Sequence, residues 1–390
     1  MRYFKHSLLS LTILFVLGGL FFPFITKAQG LEPDQVEIVR AKILDIQSQS
    51  STTLPVLNIS DTDKNITALI LEGTEKGQTV FFTDDYPGIN KGQVVYVNHT
   101  IYVGSGQEVY AVVDINRLPV IYFFLGLFIL LAILIGGLQG IRGLLSLAGS
   151  FVLIIFVLLP AILHGYSPIL LSIGVSSLIV ILGSYITHGF NKTTSSAVLG
   201  MIITIIFTGI MAYFAVHVAN FTGYASEESI YLNLNSHGAI NLVGILIGGI
   251  MIGLLGILYD VSIGQAISVE ELHHIAPYIP RGTIFKRAMR MGREHIGALI
   301  NTLAIAYAGA SLPLLLFFST PPVDVAMTIN KEIFATEIVR ILIGSIGLIL
   351  AVPITTLLSV YILMPKVKKN ISKEELHEEE KELEHFHHTH

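Results

Sequence analysis

Cysteine and tryptophan are both missing from the 390 residues. Without cysteine the chain can build no disulfide framework, no thiolate metal site and no cysteine nucleophile, and cysteine usage says nothing of its redox compartment. Without tryptophan, interfacial anchoring falls to tyrosine and phenylalanine. Charge is scarce as well: 13% of residues are charged and 52% hydrophobic, against roughly 25% charged in soluble domains. Such a chain has too little polar surface to cover a soluble globule of its size, so lipid is its expected solvent. No His-Glu-x-x-His, Gly-x-Ser-x-Gly or phosphate-cradling glycine loop occurs, which argues against an enzyme and leaves an ion gradient or a partner ATPase to drive any work. The net charge of -5 gives no reason to expect a nucleic-acid partner.

What is present falls into four parts. Residues 1–28 carry Arg2 and Lys5, then an apolar run from Leu8, and end at Lys27-Ala28, the pattern of a signal peptide or signal anchor. Residues 31–117 read as an exported β-rich domain. Five short β-branched runs, at Val36–Leu44, Ile66–Leu71, Thr79–Phe82, Gln93–Val97 and Glu108–Val113, are punctuated by turn residues, and a small OB-like barrel fits that spacing. Asp84 and Asp85 precede Tyr86-Pro87-Gly88, so they read as a turn rather than as calcium ligands.

Residues 118–364 contain seven apolar segments of membrane-crossing length, near Leu118–Leu138, Gly143–Leu163, Pro168–Ile186, Ala197–Ala219, Ala239–Leu258, Ile296–Phe318 and Ile338–Met364. The expected fold is therefore mainly α, a polytopic helical bundle with a small N-terminal β-barrel domain. Arg142, Lys192, the basic loop within 259–295 and Lys366, Lys368 and Lys369 all fall on alternate connections. By the positive-inside rule that side is cytoplasmic, which puts the β domain outside and the C-terminus inside a multi-pass plasma-membrane protein. Thr283 is a plausible cap for a basic amphipathic helix over 283–293 at the inner lipid surface, and Glu270–His274 read as a short helix ending at a bend before Pro277 and Pro280.

Three segments then carry a resemblance: Leu255-Gly-Ile-Leu-Tyr-Asp260-Val-Ser-Ile-Gly-Gln265, Met291-Gly-Arg-Glu-His-Ile-Gly-Ala-Leu-Ile-Asn-Thr302 and Ala306-Tyr-Ala-Gly-Ala-Ser-Leu-Pro-Leu314. Together with Glu337-Ile-Val-Arg340, Gly344-Ser-Ile-Gly347 and Ala351-Val-Pro-Ile-Thr-Thr356, they resemble the YibE/F-like family of multispanning prokaryotic membrane proteins. The resemblance implies a membrane bundle, with transport as the suspected activity. Family members commonly place a second acidic residue before the Asp of the Asp-Val segment, where this chain has Tyr259.

An ionisable group at membrane depth costs at least about 2.5 kcal/mol and therefore seeks water, a partner or the bundle interior. On that ground Asp260, Gln265, Glu294, His295 and Asn301 are expected to line a cation or proton route near the cytoplasmic end. The plainer reading of Asp260 is a helix cap or a pair with Arg293. Glu337 and Arg340, three apart, suit an intrahelical ion pair. Asn241, Asn301, Thr355 and Thr356 suit helix–helix hydrogen bonds, and Gly244, Gly248, Gly249 and Gly253 suit close packing. In the tail, 365–390, His377, Glu384 and His388 share a helical face and could take a transition metal; a solvated charged helix is the plainer alternative. No other cofactor is indicated. Expected partners are the lipid bilayer and a second copy or a second membrane subunit.

The sequence thus favours a transporter or permease for an ion or small solute. The competing reading is a non-transporting envelope scaffold or sensor whose β domain binds a partner.

Overall fold

The structure, a computed structural model, describes residues 35–48, 64–102, 107–317 and 324–364. The segment 1–28 and the tail residues His377, Glu384 and His388 lie outside the described residues. The chain divides into two compact units between Ile135 and Gly136.

The first unit holds a five-stranded antiparallel sheet: β1 (Gln35–Ser48), β2 (Lys64–Ile70), β3 (Thr79–Asp84), β4 (Val94–Ile101) and β5 (Glu108–Ile115), in the order β3-β2-β1-β4-β5. All five expected runs form strands. Alternation puts every second side chain inward, so Val39 and Ala41 of β1 meet Val97 and Val95 of β4, while Ile43 faces Ala68 of β2. A bulge between Ile43 and Asp45 bends the long first strand, so that one end pairs with β4 and the other with β2. The sheet curls into a half-barrel, and Asp84 fastens its rim. One carboxylate oxygen accepts from the Tyr86 amide at 2.8 Å, the turn expected there, and the other from the Val112 amide of β5 at 2.6 Å.

Asp114 closes the end of β5. The Tyr86 hydroxyl and the Arg117 guanidinium both donate to its carboxylate, and with the Ile115 amide they lower its pKa to about 2. A carboxyl depressed on folding adds stability above its unfolded pKa of roughly 3.9 and loses it as pH falls toward the folded value. Protection of the 108–116 amides, taken relative to intrinsic exchange at each pH, is therefore expected to fall between about pH 4 and pH 2 in the native chain, and much less so in Asp114→Asn.

The first unit also holds residues 118–135, the start of a long helical run, and the second unit is helical. A helical run begins at α1 (Leu118–Leu153), passes through a π-turn at Ile154–Leu158 and ends with α2 (Leu159–Leu163). Then come α3 (Pro168–His188), α4 (Lys192–Val218), α5 (Glu227–Asn235), α6 (Leu242–Ile275), α7 (Arg281–Ala310), α8 (Leu312–Phe317), α9 (Val325–Asn330) and α10 (Glu332–Leu363). Among the described residues five helices are long and apolar enough to cross a membrane: Leu118–Leu163, Pro168–His188, Lys192–Val218, Leu242–Ile275 and Glu332–Leu363.

Seven segments were expected, and two local features account for the difference. The 46-residue run Leu118–Leu163 counts once, although about 20 residues suffice for one crossing. It is broken at Gly137, whose φ of 53° and ψ of -135° suit only glycine, at the end of the first of the two segments expected there. The segment expected at Ile296–Phe318 is instead the second half of α7, whose first half is basic, and Pro313 follows a break at Ser311 that separates α8. The basic connection expected at 259–295 is helical on both sides of a bend at 276–280, and Glu270–His274 form the last turns of α6 rather than a separate helix. Helix α7 starts at Arg281, two residues before Thr283.

Asparagines mark the starts of two helices. Asn191 Oδ1 accepts from the Thr194 amide at 2.6 Å, and Asn241 Oδ1 from the Gly244 amide at 2.9 Å. Asn241 is thus an N-cap and not the interhelical donor expected from its sequence position.

Candidate functional site

The centre of the helical unit is where α4, α6 and α10 pack together, around Met201, Ile205, Ile250, Leu254, Leu258, Leu348 and Val352. Through this apolar core runs a seam of buried hydroxyl and amide groups. Thr356 of α10 reaches Gln265 of α6, with Oγ1 2.8 Å from Oε1, and Thr355 reaches Ser262 at 3.3 Å. Ser359 meets Ser196 of α4 at 2.9 Å. All six side chains are buried, Gln265 being the most accessible at 3%. A buried amide without partners would cost about 1–3 kcal/mol, so the pairing decides whether the seam is tolerated.

Small residues let the helices come this close. A Cβ on Gly200 of α4 would collide with the Thr355 hydroxyl and stand 3.0 Å from its Cα. On Gly292 of α7 it would lie 2.7 Å from Gln265 Nε2 and 2.5 Å from Val352, so α7 packs onto the seam at that residue. The glycines expected to give close packing divide: Gly244 and Gly248 sit against Pro168 and Ser172 of α3 and Gly253 against Tyr307, whereas Gly249 faces open space.

Proline 353 sits inside α10 between these polar groups. It has no N–H for the carbonyl of Ile349, and the Thr356 hydroxyl leans back to the Val352 carbonyl at 2.6 Å, sharing its one proton between that oxygen and Gln265. Back-bonding of this kind recurs on α4, from Thr204 to Gly200 and from Thr208 to Thr204. Both helices are softened at the depth of the seam.

Of the five residues expected to form a route, only Gln265 belongs to this seam. Asp260 lies five positions earlier on α6, about 140° around the helix, and is exposed. It sits well inside a continuous helix, so it caps nothing, and Arg293 donates to the Met289 carbonyl instead of pairing with it. Glu294, His295 and Asn301 are exposed on α7. Thr355 and Thr356 do make the interhelical bonds expected of them. Glu337 and Arg340 form their pair at 2.8 Å, half-buried, with the guanidinium 5.9 Å from the Tyr307 ring. Tyr259 is half-buried and its hydroxyl donates to the Gly183 carbonyl of α3 at 3.4 Å.

Sequence reasoning missed Glu332, at the start of α10. Its carboxylate accepts from the Thr222 and Gly223 amides at 2.7 and 2.8 Å and from the Thr222 hydroxyl at 2.8 Å, tying α10 to the turn after α4. Gly223 has a φ of 82°, and a Cβ there would lie 2.7 Å from the Leu242 backbone, so only glycine fits the clamp. A weak signal was available: Glu332 begins an apolar helical run, the position where an acid complements the helix dipole.

Helices long and apolar enough to cross a membrane, packed through glycines around a hydroxyl-lined seam beside Pro353 of α10, fit a membrane protein. Residues 124–365 match the family model described as YibE/F-like protein, and the chain belongs to that family. No curated protein and no solved structure matches it.

Proposed function

We propose that the protein is a multi-pass plasma-membrane permease that moves an ion or small polar solute through the junction of α4, α6 and α10. The observation that carries this reading is the Gln265–Thr356 pair beside Pro353. Polar groups within spanning helices are expensive, and a proline next to them supplies both a free carbonyl acceptor and a point of bending. The seam is uncharged, which suits a ligand bound through oxygens rather than a counter-ion. Asp260, five residues nearer the N-terminal end of α6 than Gln265 and on another face of the helix, stands outside it. The placement of basic residues supports a cytoplasmic C-terminus and an outer β domain, and the strand order with its bent first strand supports an OB-like barrel. The scaffold reading has one observation in its favour, the exposed Val36, Ile38 and Phe81 on the sheet.

Purified protein in liposomes is expected to pass protons or a cation from a panel of mono- and divalent ions faster than empty vesicles. Exchanging both seam partners at once, in Gln265→Leu with Thr356→Val, leaves no unpaired buried group and so is close to neutral for folding. It is expected to abolish that flux. Flux equal to that of empty vesicles across the panel, or a double variant as active as the parent, overturns the reading.

A further inference from the structure

The β half-barrel holds a second polar cluster, remote in sequence from the seam. His99 lies on β4 in the inward register of Val95 and Val97, opposite Tyr110 of β5 and Glu37 of β1. It is 4% exposed, and its Nε2 is buried with no hydrogen-bond partner. Burying a polar nitrogen unpaired is costly, so this atom calls for a ligand. Two carboxylates converge on the ring: Glu108 lies 3.6 Å from Nε2 and Glu75 3.8 Å from Nδ1. One donor atom from each of Glu75, His99 and Glu108 can be chosen so that all three lie within 4.8 Å of one another. Donors about 2.1 Å from a tetrahedral ion stand roughly 3.4 Å apart, so one imidazole nitrogen and the two carboxylates would close in by at most about 1.4 Å to hold one ion.

The surroundings fix the donors. The Tyr110 ring stacks on His99, centroids 4.5 Å apart and planes within 7°, so the imidazole cannot turn. The Tyr110 hydroxyl donates to Glu75 Oε2 at 2.5 Å, the oxygen that faces His99, and lies 3.4 Å from Glu108 Oε2, so it ties the two carboxylates to the same edge of the cluster. Glu37, the other nearby acid, is taken by the Thr74 hydroxyl at 2.9 Å. Glu108 is half-exposed and opens the cluster to solvent.

We infer that Glu75, His99 and Glu108 form a binding site for a first-row divalent transition ion, of which zinc is the simplest probe. One imidazole nitrogen among carboxylates favours such an ion over calcium or magnesium, which take all-oxygen shells. Three protein donors leave a further position for water or for a group on a partner.

The test is equilibrium dialysis of the chelator-stripped, detergent-purified chain against Zn2+, with calcium as competitor. It is run on the whole protein and on a chain lacking the histidine-rich residues 365–390, which would otherwise contribute their own sites. Both chains are expected to hold one zinc that His99→Ala lacks. Glu108→Gln changes a half-exposed side chain and leaves the fold intact; it is expected to weaken that zinc about 10-fold or more, and Tyr110→Phe about 10-fold. Cobalt in place of zinc is expected to give a visible spectrum that Glu108→Gln perturbs. Zinc retained unchanged by Glu108→Gln, or absent from the parent once the tail is removed, overturns the assignment.

Discussion

Gly200→Leu is expected to yield no folded helical unit, with the protein recovered from detergent as aggregate or as proteolytic fragments. The cause is steric and local. Where α4 crosses α10, a single added carbon already meets the Thr355 hydroxyl and backbone, and neither neighbour has room to retreat because Thr355 is buried against Ser262. Overpacking by a methyl group costs about 1–3 kcal/mol, so Gly200→Ala should fold with a lowered melting temperature while leucine exceeds what the packing can absorb. Gly249→Leu supplies the control. That glycine has no neighbour within 4 Å and faces away from the core, so the same change in volume should be tolerated. Size-exclusion profiles and thermal melts of the three variants decide it, and equal behaviour of Gly200→Leu and Gly249→Leu would mean that α4 and α10 do not approach as described.

Glu332→Ala should cost about 2–3 kcal/mol, the next largest effect. One carboxylate satisfies two backbone amides and one hydroxyl of the turn after α4. Hydrogen bonds to a charged acceptor are worth roughly 1.5–3 kcal/mol each, reduced here because the freed donors are partly open to water. An acid in the first turn of α10 also adds about 0.3–1 kcal/mol through the helix dipole. Glu332→Gln keeps one acceptor and should fall between alanine and the native chain. Hydrogen exchange at Thr222 and Gly223 provides the local reading; unchanged protection in the alanine variant would remove the clamp.

Much of this architecture was legible in the letters, for physical reasons that also mark where legibility stopped. The five strands follow from alternating β-branched residues between glycine-bearing turns, a pattern that depends only on neighbours in sequence. The spans at Pro168, Ala197, Ala239 and Ile338 follow from continuous apolarity in the same way. The break before α8 did not, because a window average cannot say on which side of Ser311 a helix ends. The route proposed from Asp260, Glu294, His295 and Asn301 grouped residues by chemistry and approximate depth, whereas their azimuth around α6 and α7 places them on exposed faces. Gln265 and Thr356 are 91 positions apart, and Glu75 meets His99 only through the sheet register; nothing local announces either pairing. His99 did carry a readable sign, since strand alternation assigns it to the same inward row as Val95 and Val97.

The end of α10 sets a boundary on where the chain can be cut. Met364 is 1% exposed in a small apolar cluster with Leu272, Ile279 and Ile284, and its carbonyl accepts from Arg281 at the head of α7, while that guanidinium lies 5.2 Å from the Tyr361 ring. The final turn is therefore a latch between the last helix and the bend that joins α6 to α7. Trimming back to Met364 spares every member of that latch, whereas trimming one residue further withdraws both its bolt and its catch.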